Sequence, residues 1–338
     1  MNFIELDNEQ RRQLIDTVQT YQTWRPATIA LDGIGSLHWQ GAKPQRYLIE
    51  KHGIVRKSHG RETEALRQRK TEFDARKKAL KARATASGKR LERMARVNTA
   101  LNLGRLRRIV AKILRELDQE GLLGTHVIVV GTNALHAYET EYGVLIGSEH
   151  VATTDADLLW DARKSLQLAS TSEARDGLMG ILRRVDPSFN ADYGFNATNA
   201  EGYIVDLLSP EMVGSAPLLG SLASSGLEAT EMPGMSWLLD APRLEQTIIA
   251  DDGWPVRMVV PEPRTFALHK LWVSRQSSRK ALSSRKDQGH AALVTRLALD
   301  YSNARMVAKD MPWLPKELRA LIKDATAAAK SIVAPTDS

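Results

Sequence analysis

The chain has 338 residues, 43% of them hydrophobic and 26% charged, enough to bury a sizeable core in one large domain or several smaller ones. It contains no cysteine, which excludes disulfides and thiolate metal sites and leaves only oxygen or imidazole ligands for any metal. The formal charge of +7 hides a segregation: residues 51–110 carry 19 Lys/Arg against 5 Asp/Glu, and residues 111–250 carry 8 against 20, an asymmetry that points to different partners for the two parts.

Met1 to Arg12 is polar and acidic, unlike a signal sequence, and no stretch approaches the roughly 20 apolar residues that span a bilayer. The expectation is a soluble, cytoplasmic protein with no membrane partner. Asn8 to Tyr21 reads as a short helix with Leu14, Ile15 and Val18 on one side, ended near Pro26. Strand-like pieces follow at Ser36-Leu37-His38-Trp39, Tyr47-Leu48-Ile49 and Ile54-Val55. Gly41, Pro44 and Gly53 separate them, as in a small β-meander. From Arg61 to Arg96 the sequence is charged and helix-forming. Its apolar stripe (Leu66, Phe73, Leu80, Met94) is thin, which suits an arm packed on one neighbour, and Gly88 is a candidate break. Leu103, Leu106, Ile109, Val110, Ile113, Leu114 and Leu117 then keep the 3.6-residue period of a helix closed by Gly121. The two helices predict an antiparallel hairpin. The basic segment fits a polyanion such as nucleic acid. It also fits a solvated helix surface or a face that docks on the acidic part.

At Thr125 the pattern changes. Val127-Ile128-Val129-Val130 is a β-branched run of the kind found in buried strands, and strand and helix patterns alternate from there to Pro261. Helices are expected around Arg264–Ser274, Asp287–Leu299 and Leu314–Ile332, followed by a frayed tail.

Three places in this stretch carry chemistry. The strand 127–130 runs into Gly131-Thr132-Asn133 and then a helix, so backbone N–H groups and two polar side chains collect at a helix N-terminus, where phosphate binds readily. Next comes Thr154-Asp155-Ala156-Asp157-Leu158-Leu159-Trp160. On a strand, residues two apart share a face, which puts the Asp155 and Asp157 carboxylates side by side. Such a pair is costly unless a hard cation sits between them or one is protonated. Taken alone, a D-x-D also fits a capped surface turn. Third, Asp206 interrupts the apolar strand Tyr203–Leu208, where a lone carboxylate costs several kcal/mol unless it is paired or metal-bound. The histidines (His126, His136, His150, His269, His290) lack metal-ligand spacing, and Trp160 reads as core.

The order of these parts, from the Gly-Thr turn through D-x-D to a later Asp, resembles the polymerase-β-like nucleotidyltransferase superfamily. The chain is also similar to a bacterial group of nucleotidyltransferase-fold proteins with an N-terminal pattern that reads here Gly35-Ser36, Trp39, Tyr47-Leu48, Lys57-Ser58-His59-Gly60 and Arg61-Glu62-Thr63-Glu64. Many superfamily members have Gly-Ser or Gly-Gly in the turn, whereas this chain has Gly131-Thr132, whose hydroxyl can donate the same hydrogen bond. A further likeness is to AbiEii-type and MenT-type toxin nucleotidyltransferases, which place a Lys on a helix and a basic residue followed by Asp later. Lys270 and Asp287 match those positions, near Arg275, Arg279, Arg285 and Lys286. A solvated basic helix is the competing reading for Arg275 and Arg279.

The resemblance implies an α/β (α+β) fold: a nucleotidyltransferase core with a mixed sheet at 121–262. An N-terminal region of β-meander and basic helical arm at 1–120 precedes it, and a C-terminal helical region at 263–338 follows. It further implies a metal-dependent enzyme that moves an NMP from an NTP to an acceptor hydroxyl. Asp155, Asp157 and Asp206 would be the catalytic and metal-binding residues, holding two Mg²⁺ (or Mn²⁺) ions. Gly131, Thr132, Asn133, Lys270 and Asp287 would bind the nucleotide. The expected acceptor is RNA bound by residues 51–110, such as a tRNA 3′ end, and a toxin-like role implies a cognate antitoxin protein as partner. The alternatives are a protein-NMPylating enzyme and an inactive partner protein that binds nucleotide or nucleic acid.

Overall fold

A computed structural model describes residues 3–161, 177–192, 196–211, 227, 229–277, 279–302 and 304–331. In chain order the elements begin with β1 (Ile4–Glu5), α1 (Asn8–Gly33), β2 (Ser36–Gln40), β3 (Tyr47–His52), β4 (Val55–Arg61), α2 (Glu64–Ala100) and α3 (Arg108–Gln119). They continue with β5 (Val127–Val130), α4 (Leu135–Tyr142), β6 (Val144–Leu145), α5 (Ser148–Val151), β7 (Asp155–Trp160), α6 (Gly177–Val185), β8 (Asn190–Asp192), β9 (Asn196–Thr198) and β10 (Ile204–Pro210). The last are β11 (Thr230–Met232), α7 (Met235–Asp240), β12 (Arg243–Ile249), β13 (Pro255–Pro261), α8 (Pro263–Ser274), α9 (Ala281–Tyr301), α10 (Lys316–Arg319) and α11 (Ile322–Lys330). The mixed α/β architecture and mixed sheet agree with the sequence reading. No described helix is long and apolar enough to cross a membrane.

The chain divides into two compact units. One comprises residues 12–103 and 252–255, the other residues 1–11, 104–251 and 256–338. This partition differs from the three regions expected from sequence. Residues 104–120 and 263–338 share a unit with residues 121–251, because α3 buries Val110, Ile113, Leu114 and Leu117 in the same core as β5, β7 and α8.

In the smaller unit, β2, β3 and β4 form the expected antiparallel meander, with Leu37 and Leu48 buried. The helices are longer than predicted. Pro26 lies inside α1, where it costs one backbone hydrogen bond, and the turn before it packs Tyr21 and Trp24 into a cluster with Leu91 and Met94. Gly88 does not break α2. A β-carbon there would come within 3.3 Å of Trp24 Nε1, so the glycine makes room for an indole at a helix-propensity cost of about 1 kcal/mol. Thr63 caps α2 by accepting from Leu66 N–H. The buried Asn98 ties the unit together, accepting from Gln13 at 2.8 Å and donating to the Gly253 carbonyl at 2.8 Å. α2 and α3, expected from sequence as a hairpin, belong to different units.

In the larger unit the described strands of the main sheet run β5-β7-β10-β9-β8, with β11 also paired to β10. All four residues of β5 are buried, which explains their continuous apolar character. β7 runs antiparallel to β5 and parallel to β10. Leu114 on α3 is fully buried in the core beneath this sheet. Leu114→Ala is expected to cost about 2–5 kcal/mol of unfolding free energy, measured by urea denaturation.

Candidate active site

The sheet register assembles the three carboxylates. Asp206 on β10 lies opposite Asp157 on β7, and Val130, the last residue of β5, lies opposite Asp157 on the other side. Opposed residues share a face, as do Asp155 and Asp157 two apart. All three line one cavity of about 440 Å³ together with Gly131 and Thr132.

Gly131 is required by this arrangement. Its φ is +65°, and a β-carbon there would fall 1.7 Å from Asp157 Oδ2. The turn can pass this close to the carboxylate only without a side chain. Thr132 is buried at the cavity wall. Asn133 is not among the described residues lining the cavity, and its Nδ2 donates to the Asp155 carbonyl at 2.8 Å. The Tyr203 hydroxyl donates to the same carbonyl at 2.7 Å, and the Thr153 hydroxyl to the Asp155 carboxylate. Asn133 thus braces the strand that carries the acids.

The opposite wall comes from α8 and α9. Each presents a helical stripe: Phe266, His269, Lys270 and Val273 from α8, and Ser283, Lys286, Asp287 and His290 from α9. Asp287, 2% exposed, accepts from Lys270 Nζ at 2.9 Å on one oxygen and from Arg279 Nε at 2.8 Å on the other. Lys270 and Asp287 therefore meet as expected. Arg279, which the sequence left as a solvated-helix residue, lines the cavity, whereas Arg275 is exposed and pairs with Asp324. Sequence reasoning had no role for His269 or His290, although their spacing from Lys270 and Asp287 on the two helices marks the shared face. Burial holds His290 neutral, down to about 4, and its Nε2 faces the His150 carbonyl at 2.9 Å. Burial likewise pushes His269 down to about 3.

Burial pushes Asp157 up to about 6. Lys270 and Lys286 pull it down, and Asp155 and Asp206 push it further up. Asp206 is raised too, first by burial and then by Asp155, against a hydrogen bond from Asn196. The three acids repel one another across the same space. No hydrogen-bond donor among the described residues meets the Asp157 carboxylate. Three hard oxygen ligands with an uncompensated charge have the chemistry a divalent cation needs. They are not closed into a chelate, however. Among the described residues no group of three Asp, Glu or His side chains is already arranged to hold a metal ion.

The family model described as nucleotidyltransferase matches residues 108–311, more than half of the chain and every described residue that lines the cavity. No curated protein and no solved structure matches.

The raised Asp157 makes a stability prediction. For an acid whose folded value lies above its unfolded one, the charged form is the disfavoured form in the fold. The penalty is absent below 3.8, grows as pH rises and is complete above about 6. In chelator-treated buffer, Asp157→Asn is expected to stabilise the protein at pH 8 by up to about 3 kcal/mol. The gain should vanish near pH 4, as read from denaturant melts at both pH values.

Proposed function

The chain belongs to the nucleotidyltransferase family, whose substrate is an NTP, and we propose that it moves an NMP from that NTP to an acceptor hydroxyl at the Asp155–Asp157–Asp206 face. The observation that carries this reading is the register placing the three carboxylates across one cavity from Lys270, Arg279 and Lys286. An acidic wall for reacting groups and a basic wall for phosphates are the two halves such a transfer requires.

Nucleotidyltransferases generally use divalent ions, and here Asp155, Asp157 and Asp206 would hold them, as Mg²⁺ or Mn²⁺. Bound there, a divalent ion neutralises phosphate charge and makes the acceptor hydroxyl easier to deprotonate. The chain's own groups do the rest. Gly131 and Thr132 offer backbone N–H groups and a hydroxyl to phosphate oxygens. The acceptor oxygen bonds to the α-phosphorus, the bond to the β-phosphate oxygen breaks, and pyrophosphate departs. The hydroxyl proton passes to Asp206, whose carboxylate lines the same cavity. Lys270 and Lys286 offset charge on the departing pyrophosphate. Asp287 holds Lys270 and Arg279 at a fixed spacing, acting as a positioning residue.

RNA is the acceptor this reading favours. On α2, Arg76, Lys78, Lys81, Lys89, Arg93 and Arg96 are exposed without a carboxylate partner among the described residues. The segment therefore carries free positive charge for a phosphate backbone. A tRNA 3′ end supplies a terminal hydroxyl of the right kind, and the likeness to toxin nucleotidyltransferases supports it.

Incubating the protein with labelled NTPs, Mg²⁺ and total RNA tests both parts. The wild type should label a species that ribonuclease destroys, and Asp157→Asn should lose incorporation by about 100-fold or more while keeping its circular dichroism spectrum. Wild-type incorporation by Asp157→Asn would refute the site, and label in ribonuclease-resistant protein would refute the RNA acceptor.

A further inference from the structure

The β2-β3-β4 sheet has an inward and an outward face. Leu37 and Leu48 point inward and are buried. The register opposes His38 to Ile49, Lys51 to Arg56, and Tyr47 to Arg61. Because opposed residues and residues two apart share a face, these six stand together on the other side. Tyr47 is 39% exposed. Lys51, Arg56 and Arg61 are exposed, and none pairs with a carboxylate among the described residues. The one carboxylate in these three strands, Glu50, lies opposite Leu37 on the inward face and is held by His52 at 3.0 Å and His59 at 2.6 Å.

The outward face therefore combines two rings with three unpaired cations and no acid. His38 and Tyr47 are diagonal neighbours across β2 and β3, about 7–8 Å apart by strand geometry, a gap that one nucleotide step of an extended strand can span. Rings on a flat sheet take stacked bases, and flanking cations follow the phosphates. An anionic membrane surface would need a wider aliphatic area on this face, where Ile49 is the one aliphatic side chain, the exposed Ile54 and Val55 lying at the β3–β4 turn with Val55 on the inward register. A double helix would hide the base faces that the rings could use.

We infer that this sheet face is a stacking platform for single-stranded RNA, with Tyr47 and His38 beneath bases and Lys51, Arg56 and Arg61 along the backbone. The choice of RNA rests on the acceptor reading above. Binding itself requires no transfer, so the two can fail separately.

Fluorescence anisotropy of the full chain with a labelled single-stranded RNA of about 12 nucleotides tests the platform. Tyr47→Ala should weaken binding about tenfold or more at every salt concentration, leaving the dependence of log affinity on log salt unchanged. Tyr47→Phe, which keeps the ring, should bind as the wild type does. Lys51→Gln with Arg56→Gln should instead flatten the salt dependence by about 1.4 in slope. An RNA duplex should bind more weakly, and anionic phospholipid vesicles should not compete. Unchanged affinity in Tyr47→Ala, or equal losses in Tyr47→Ala and Tyr47→Phe, would overturn the inference, as would duplex or vesicle binding as tight as that of the single strand. Tyr47-dependent RNA binding without any labelling of RNA would support the platform and refute the acceptor reading.

Discussion

The Asp157 carboxylate and the Gly131 backbone occupy almost the same space. A β-carbon at residue 131 would sit 1.7 Å from the carboxylate oxygen, and the backbone there adopts a φ of +65°, which glycine adopts without strain. Much else in the larger unit serves this approach. Antiparallel pairing of β5 and β7 brings Val130 opposite Asp157. The bond from Asn133 to the Asp155 carbonyl holds the turn after β5 against the strand beside it. The parallel β10 adds Asp206 from the other side.

This arrangement concentrates negative charge where burial already disfavours it. Asp157 is pushed up to about 6 and Asp206 is raised, so the fold tolerates a strained electrostatic state at the mouth of its own sheet. The facing helices and the turn between them answer with Lys270, Lys286 and Arg279, and Asp287 bonds to two of those cations, Lys270 and Arg279. An acidic wall facing a basic one is the arrangement that the proposed nucleotidyl transfer would use. In the other unit, the meander turns its one acid, Glu50, to the inward face opposite Lys57 and carries Lys51, Arg56 and Arg61 on the outward face.

Much of this was legible in the sequence where the signal is local. The D-x-D face follows from the two-residue period of a strand, and Asp206 stands out because it interrupts an apolar run. The apolar stripe of α3 and the β-branched run of β5 were equally plain. What failed depended on packing between distant residues. Pro26 and Gly88 read as breaks, yet both helices run on through them, with Trp24 packed between Tyr21, Leu91 and the face of Gly88. Arg279 looked like a solvated cation until α8 and α9 brought it to Asp287. Nothing local reveals that the Asn133 amide turns toward a strand 22 residues away. The assignment of α3 to the larger unit likewise depends on which core its buried face joins, information a periodicity does not carry.

The central claim is that the acidic face directs attack at the α-phosphorus of an NTP. The most direct measurement follows radioactive phosphorus placed at either the α or the γ position of the NTP, in the presence of Mg²⁺ and RNA. The account predicts that α-label enters the acceptor and that γ-label leaves entirely in pyrophosphate. Transfer of the γ-label to the acceptor, or release of both labels without any acceptor product, would contradict it.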